Sequence, residues 1–243
     1  MKLRIRFSKT GAVRFIGHLD IMRYFQKAMR RAGYDICYSK GYHPHPVMSF
    51  ASPLGLGLES MGEYMDIEVN SALSADEMKN MLNEQMAEGI EILSVNLLED
   101  EASNSMSAFA AADYLVRIKD EACAADSQSV TACNISEKAL SDFLERKEIV
   151  VRKKTKKNEI DLDIRPLIYE MYLRADQSIF MKLSAGSSAN LKPELVMQAL
   201  CSQDGSAFEP YQLQITRLEM YADSGTDGNR CLTPLDKYQT KVS

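Results

Sequence analysis

The sequence predicts an α+β protein made of two ferredoxin-like halves in tandem, each with a split βαβ order of elements. Over residues 1–100, patterns of period two, typical of strands, alternate with apolar spacings of three and four, typical of helices. The resulting order is strand, helix, strand, strand, helix, strand, as in a ferredoxin-like domain. Nearly the same order returns at 113–221. We therefore expect an N-terminal domain at 1–100, a linker with a short helix at 101–112, a C-terminal domain at 113–221 and a mobile tail at 222–243.

The first strand and the first helix are the clearest elements of the N-terminal half. From Lys2 to Ser8, apolar residues alternate with Lys and Arg, which predicts a half-buried strand with a basic outer face. From Leu19 to Ala32 the apolar residues recur at helical spacing, and Gly33 follows where a helix commonly ends. The other predicted elements of this half are strands at Tyr34–Tyr38, Glu63–Val69 and Ile90–Leu98 and a helix that starts at the capping box Ser74–Glu77.

The C-terminal half is predicted from shorter patterns. Helices are expected at Ile135–Arg146 and at Pro193–Leu200, where the proline stands at a permitted first-turn position. Strands are expected at Tyr114–Lys119, Ile149–Val151, Ile160–Ile164, Leu167–Leu173, Ile179–Leu183 and Tyr211–Tyr221.

Composition excludes several classes of protein. The 243 residues are 45% hydrophobic and 26% charged, the balance of an ordinary soluble globular protein. No apolar run reaches the roughly 18 residues of a membrane helix. The first residues are charged, unlike those of a signal peptide. We therefore expect a cytoplasmic protein with no membrane partner. The five cysteines are odd in number and form no C-x-x-C pair or iron–sulfur motif. They are therefore expected to be reduced packing residues, with no bound metal and no cofactor.

Charge is distributed unevenly along the chain, whose formal net charge is −5. Residues 1–50 contain ten Lys and Arg against two Asp and Glu, whereas residues 51–100 contain eleven acidic residues and one basic residue. Two interpretations stay open at this point. The first segment forms a local anion-binding face, or the two segments neutralise each other through contacts within the molecule.

The first helix carries a basic ridge beside its apolar stripe. Arg23, Lys27, Arg30 and Arg31 follow one another at spacings of four, three and one, so they share neighbouring helix faces. Together with nearby tyrosines, this ridge favours contacts with the phosphates and bases of RNA over a merely solvated face. Further candidate contacts in the flanking loops are Arg14, Lys40, Tyr42, His43 and His45.

A second basic cluster occupies residues 152–157 at the tip of a predicted hairpin. It is either a solvated turn or a finger that reaches a phosphate backbone. The candidate RNA contacts here are Lys153, Lys154, Lys156 and Lys157.

All three histidines lie near the first helix. His18 stands at its start, and His43 and His45 lie in a loop that Pro44 and Pro46 hold extended. Such a loop is compatible with a metal site, an acid–base pair, a rigid binding surface, or histidines that merely hydrogen bond nearby carbonyl groups. The catalytic candidates, if the protein is an enzyme, are His45, Lys40 and His18.

A series of short motifs spans the region from Arg14 to Asp66. They are Gly17-His18-Leu19-Asp20, Arg23, Arg30-Arg31-Ala32-Gly33, Ser39-Lys40-Gly41-Tyr42, Pro44-His45-Pro46, Ser49-Phe50, Pro53-Leu54 and Gly57. With these motifs the chain resembles the radical SAM-linked protein family, a bacterial family of unknown function. The resemblance is looser farther on, through Leu191–Glu194 and Arg217. Where the family usually has Asn this chain has His43, which leaves His45 as the better catalytic candidate.

The resemblance implies a partner and a substrate class. A radical SAM protein would supply the iron–sulfur cluster for which this chain has no cysteine motif, and the family's association with ribosome and RNA-processing genes implies tRNA or rRNA. The tandem fold is also similar to that of CRISPR repeat-associated RNA endonucleases, a likeness at the level of fold alone.

Three functions are therefore predicted from different classes. The leading one is a non-catalytic RNA-binding or substrate-presenting partner of a radical SAM enzyme that acts on tRNA or rRNA. The second is a metal-independent endoribonuclease with His45 as acid or base and Lys40 stabilising the transition-state charge. The third is an adaptor that binds only protein, through its acidic region.

Overall fold

The computed structural model describes residues 1–99, 102–119, 135–154, 159–187, 189–204, 210–225 and 229–238. The chain divides into two units, the first formed by Met1–Ala111 with Arg217–Ser243 and the second by Ala112–Thr216. Two strands, β5 (Phe109–Ile118) and β10 (Leu213–Asp223), contribute residues to both units.

The first unit is built around strand β1 (Lys2–Lys9). This strand pairs antiparallel with β3 (Glu59–Glu68) on one side and with β4 (Ile90–Leu98) on the other. β3 also pairs with the short β2 (Met48–Phe50) and with β10, and the short β11 (Leu232–Pro234) pairs with β10. β1 is flanked by strands on both sides, and its charged residues Arg4 and Lys9 are buried.

Helices cover the core of this unit. The predicted first helix is present as α1 (His18–Arg31), whose Ile21, Phe25, Ala28 and Met29 are buried. The ring of Phe25 packs edge-on against that of Phe7 on β1, with 4.8 Å between the ring centroids. The helix α2 (Ala75–Asn83) begins at the predicted capping box, and α3 (Ser105–Ala108) is a single turn.

The second unit contains strands and two helices. Its elements, besides its parts of β5 and β10, are α4 (Glu137–Leu144), β6 (Val150–Lys154), β7 (Glu159–Asp163), β8 (Ile168–Leu173), β9 (Ile179–Ser184) and α5 (Pro193–Cys201). β6 and β7 form a separate antiparallel two-stranded sheet, and β8 pairs antiparallel with β9. Cys201 is disulfide-bonded, whereas Cys37 and Cys231 are free, so the prediction that all five cysteines are reduced is wrong.

The α+β class agrees with a fold of many strands and few helices, but tandem ferredoxin-like halves are not confirmed and stay a prediction. The segment predicted as a linker contains α3 and the start of β5. The predicted tail begins as the end of β10 and continues into β11, and Leu235 and Tyr238 beyond it are buried. No helix among the described residues is long and apolar enough to cross a membrane.

Candidate functional site

The basic ridge of α1 is exposed along its whole length. Arg23, Lys27, Arg30 and Arg31 all face solvent, because the opposite side of the helix is buried against β1 and its neighbours. Arg23 forms an exposed ion pair with Asp20, with Nη1 3.5 Å from Oδ1. The ridge therefore presents positive charge outward.

The four cations of the ridge differ in how they are held. Arg31 donates from Nε and Nη2 to the side chain and backbone oxygens of Gln85, both at 3.3 Å. Lys27 and Arg30 form no ion pair with any residue that the structure describes. These two side chains are available to an external anion.

The histidine–proline loop is a separate exposed feature. Nδ1 of His45 lies 2.8 Å from the hydroxyl of Ser39, and the backbone N–H of Ser39 donates to the carbonyl oxygen of His45. Tyr42 at the loop tip is fully exposed, and His43 and Lys40 are exposed as well. The loop can offer an aromatic ring, a lysine and two imidazoles to a ligand.

His18 occupies a different environment from the two loop histidines. Its ring packs edge-on against Phe50, with 5.1 Å between centroids. It lines a cavity of about 10 Å³, which has room for about one water molecule. The other residues that line this cavity are Phe7, Lys9, Ile21, Phe50, Ser52, Leu54 and Glu63. The structure thus does not bring His18 together with His43 or His45 in this cavity.

A buried charge cluster lies beside this cavity. Lys9, Glu63 and Arg217 are only 3%, 4% and 3% exposed. Arg217 binds the Glu63 carboxylate through two parallel contacts, from Nε to Oε1 at 2.8 Å and from Nη2 to Oε2 at 2.6 Å. Burial lowers the pKa of Lys9, and the positive charge of Arg217 lowers it further, while the carboxylate of Glu63 opposes both effects.

Close packing of two strands makes the Glu63–Arg217 pair possible. Gly62 precedes Glu63 on β3, and a Cβ atom at this position would lie 2.6 Å from the carbonyl oxygen of Leu218 on β10. The hydroxyl of Ser60 also donates to the carbonyl oxygen of Arg217. Glycine at position 62 therefore allows β10 to approach β3 closely enough for the ion pair to form.

Lys9 connects this cluster to the surface. Its Nζ donates to the carbonyl oxygen of Ile16 at 2.8 Å and, more weakly, to that of Arg14 at 3.4 Å. These carbonyls belong to the turn before α1 that carries the exposed side chain of Phe15. The buried ammonium group thereby fixes the conformation of an exposed segment.

Arg14, a predicted phosphate contact, is held within the molecule. Its Nη1 lies 3.0 Å from Oε1 of Glu59, and its guanidinium group lies over the ring of Phe15 at 4.8 Å from the centroid. Arg14 is thus neutralised within the molecule by Glu59, and Arg4 on β1 is neutralised by Asp66. The ridge on α1, in contrast, stays exposed.

Sequence reasoning missed the cluster of Lys9, Glu63 and Arg217 as a unit. One signal was available, because Lys9 continues the inward phase of Leu3, Ile5 and Phe7 along β1. A lysine in phase with core residues indicates a buried charge. Its proximity to Glu63 and Arg217, more than 50 and 200 positions away, had no local signal.

The second basic cluster is only partly described. The backbone of Lys153 and Lys154 lies in β6, and Arg152 forms an exposed ion pair with Asp161 at 3.2 Å. Lys156 and Lys157 lie outside the described residues. Within the described part of the chain, no group of three or more His, Cys, Asp or Glu side chains is arranged to hold a metal ion.

Comparison with known proteins defines the family of the chain. No curated protein matches it. A family model described as "Uncharacterized protein conserved in bacteria (DUF2344)" matches residues 2–193, which include the basic ridge, the histidine–proline loop, Lys9 and Glu63. The chain therefore belongs to this family of conserved bacterial proteins.

Proposed function

We propose that the protein is a non-catalytic RNA-binding module. The observation that carries this proposal is the exposure of all four cations on one helix, α1, in a protein whose formal net charge is −5. An acidic protein that exposes four cations on one rigid element, two of which form no ion pair among the described residues, has a local site for a polyanion.

The geometry of the ridge supports phosphate binding. Residues four apart on a helix are separated by a rise of roughly 6 Å along its axis, so Arg23 and Lys27 present charges in a regular series. Because the apolar side of α1 is fixed in the core, these charges are held in register at little entropic cost. The adjacent loop adds Lys40 and the fully exposed Tyr42.

The identity of the RNA and of the partner enzyme rests on the resemblance to the radical SAM-linked family. On that basis we propose that the module holds tRNA or rRNA in the cytoplasm for a radical SAM enzyme. The chain supplies the binding surface, and the partner supplies the iron–sulfur chemistry.

The test measures the affinity of the whole protein for cellular tRNA and for rRNA fragments at several salt concentrations, in EDTA. The double variant Lys27→Gln/Arg30→Gln removes two phosphate contacts. The slope of log affinity against log salt should become shallower by roughly 1.4–1.8. The matched control is Lys138→Gln/Lys147→Gln, which removes two exposed lysines of the second unit and should leave the slope unchanged.

Three results would contradict the proposal. An unchanged slope in the α1 variant would remove the ridge from the binding site. Cleavage of RNA that is lost in His45→Ala would indicate the endoribonuclease instead. Failure to retain any RNA at low salt would favour an adaptor that binds only protein.

A further inference from the structure

The basic ridge ends in a group of exposed apolar side chains at the start of α1. Phe15 and Leu19 are each 61% exposed, Leu56 is 67% exposed and Ile16 is 38% exposed. We call these four residues the apolar patch. Exposed apolar side chains that are grouped in this way mark binding sites more often than isolated ones do.

Contacts within the first unit bring the patch together. Phe15, Ile16 and Leu19 lie within five residues of the chain. Leu56 belongs to a turn that packs on Phe15, since the backbone N–H of Gly57 donates to the carbonyl oxygen of Arg14 at 3.0 Å. A Cβ atom at position 57 would lie 3.9 Å from the Phe15 ring. The patch is therefore one surface formed by two segments.

The patch is continuous with the cations of α1. Leu19, Arg23 and Lys27 follow one another at spacings of four residues and are all exposed, so they lie along one line of the helix surface. The apolar end of this line is the patch residue Leu19, and the basic end continues to Arg30. A ligand that lies along the line meets apolar surface first and positive charge next.

The aromatic side chain is held in place before any ligand binds. The Arg14 guanidinium lies over the ring of Phe15, and Glu59 holds Arg14 by its ion pair. Lys9 fixes the backbone on either side of Phe15 through its bonds to the carbonyl oxygens of Arg14 and Ile16. Such prior ordering reduces the entropy lost on binding.

We infer that the apolar patch is a stacking platform for unpaired bases of the RNA strand whose phosphates contact the cations of α1. This inference rests on the proposed function and names the class of RNA. In an unpaired strand both the flat faces of the bases and the phosphates are accessible, and aromatic rings beside cations match both. A continuous duplex stacks its bases on one another, so it can engage only the cations.

The absence of tryptophan from the chain allows a direct test. The variant Phe15→Trp places a single indole in the patch, and its fluorescence can be excited where tyrosine does not absorb. A short oligoadenylate should quench this fluorescence by stacking, whereas a blunt RNA duplex of equal length should not. The control Tyr211→Trp, at a residue of the second unit that is 60% exposed, should respond to neither RNA.

Affinity measurements on two further variants separate stacking from general apolar contact. Phe15→Ala and Phe15→Leu should each weaken oligoadenylate binding by roughly tenfold and leave duplex binding unchanged, because stacking needs the ring. A docked protein would tolerate leucine. Circular dichroism confirms that each variant is folded, and Phe15→Tyr, which keeps the ring, should retain the wild-type affinity.

The outcomes distinguish the two proposals. If oligoadenylate binds without quenching the indole, or if Phe15→Leu binds it normally, the stacking platform is wrong while the RNA-binding function stands. If neither RNA binds and the indole emission shifts only when the protein self-associates or meets a protein, both proposals are wrong.

Discussion

Two buried arginine–carboxylate pairs in the first unit have similar local geometry and different surroundings. Arg4 binds Asp66 through two contacts, at 2.8 and 3.1 Å, just as Arg217 binds Glu63. Arg4 also donates to the carbonyl oxygens of three residues, Ser103, Leu235 and Tyr238, at 2.8, 2.8 and 2.9 Å. All five of its N–H groups therefore have acceptors.

The Arg217–Glu63 pair is instead part of a cluster that affects the surface. It shares its environment with the ammonium group of Lys9, which holds the turn that presents Phe15. The first pair joins distant parts of the chain, and the second positions a candidate binding surface. Similar ion pairs thus serve stability in one place and site geometry in another.

The largest effect is expected from Arg4→Met. This change leaves the buried carboxylate of Asp66 without its counter-charge and removes the guanidinium hydrogen bonds to the carbonyl oxygens of Ser103, Leu235 and Tyr238. The free energy of unfolding, measured by urea denaturation, should fall by about 3–5 kcal/mol. Arg152→Met removes an exposed pair and serves as the control. A loss in Arg4→Met no larger than in this control would show that the Arg4 network does not stabilise the fold.

A smaller effect is expected from Glu63→Gln, since the amide still accepts a hydrogen bond from Arg217 but provides no charge. The same denaturation experiment should show a loss of about 1–3 kcal/mol. The pKa of Lys9 should decrease further, because the carboxylate raises it in the wild type. NMR titration of the Lys9 side chain measures this change, and an unchanged pKa would show that Glu63 and Lys9 are not coupled.

The effect of Lys9→Met on stability is expected to depend on pH. Burial holds the pKa of Lys9 in the folded protein below its ordinary value of 10.5. At pH values between the lowered pKa of the folded protein and 10.5, the unfolded chain therefore binds more protons than the folded one. Within that window the wild type gains stability as pH rises, and the variant lacks this gain. The difference in the free energy of unfolding between wild type and variant is measured below pH 10. Above pH 10, Tyr34 and Tyr64 ionise in the unfolded chain but not in the folded one, where burial raises their pKa values. A difference that does not vary with pH would contradict the assignment.

The smallest effect is expected at the exposed pair of Arg117 and Asp176. The hydroxyl of Ser178 and the guanidinium of Arg117 hold the pKa of Asp176 below its ordinary value of 3.8. Its contribution to stability is therefore present above pH 3.8 and is lost as pH falls through the lowered pKa. Asp176→Asn should change stability little at neutral pH and make it less sensitive to acid. An acid sensitivity equal to that of the wild type would refute this.

Sequence patterns predicted the elements that are determined by interactions between residues close together in the chain. The helical spacing of Ile21, Phe25 and Met29 places α1, and the capping box at Ser74 places the start of α2. The exposure of the ridge follows from the same helical spacing, because the cations occupy positions outside the apolar stripe. These features depend on residues within one or two turns of each other.

Features that depend on distant contacts could not be predicted in this way. The charge of Arg217 is visible in the sequence, but its partner Glu63 is 154 positions away. The pairing requires that β10 lie beside β3, which depends on the fold of the whole first unit. The apolar patch was missed for the same reason, since the turn that carries Leu56 joins the segment of Phe15 through the hydrogen bond from Gly57 to Arg14.

Gly62 has a consequence for the evolution of this family. Any side chain at this position would collide with the backbone of Leu218, which would force β10 away and separate Arg217 from Glu63. Selection on the Glu63–Arg217 pair should therefore act on positions 62, 63 and 217 together. We expect relatives that keep the acidic residue and the arginine to keep glycine as well, and relatives that have lost the pair to vary at all three.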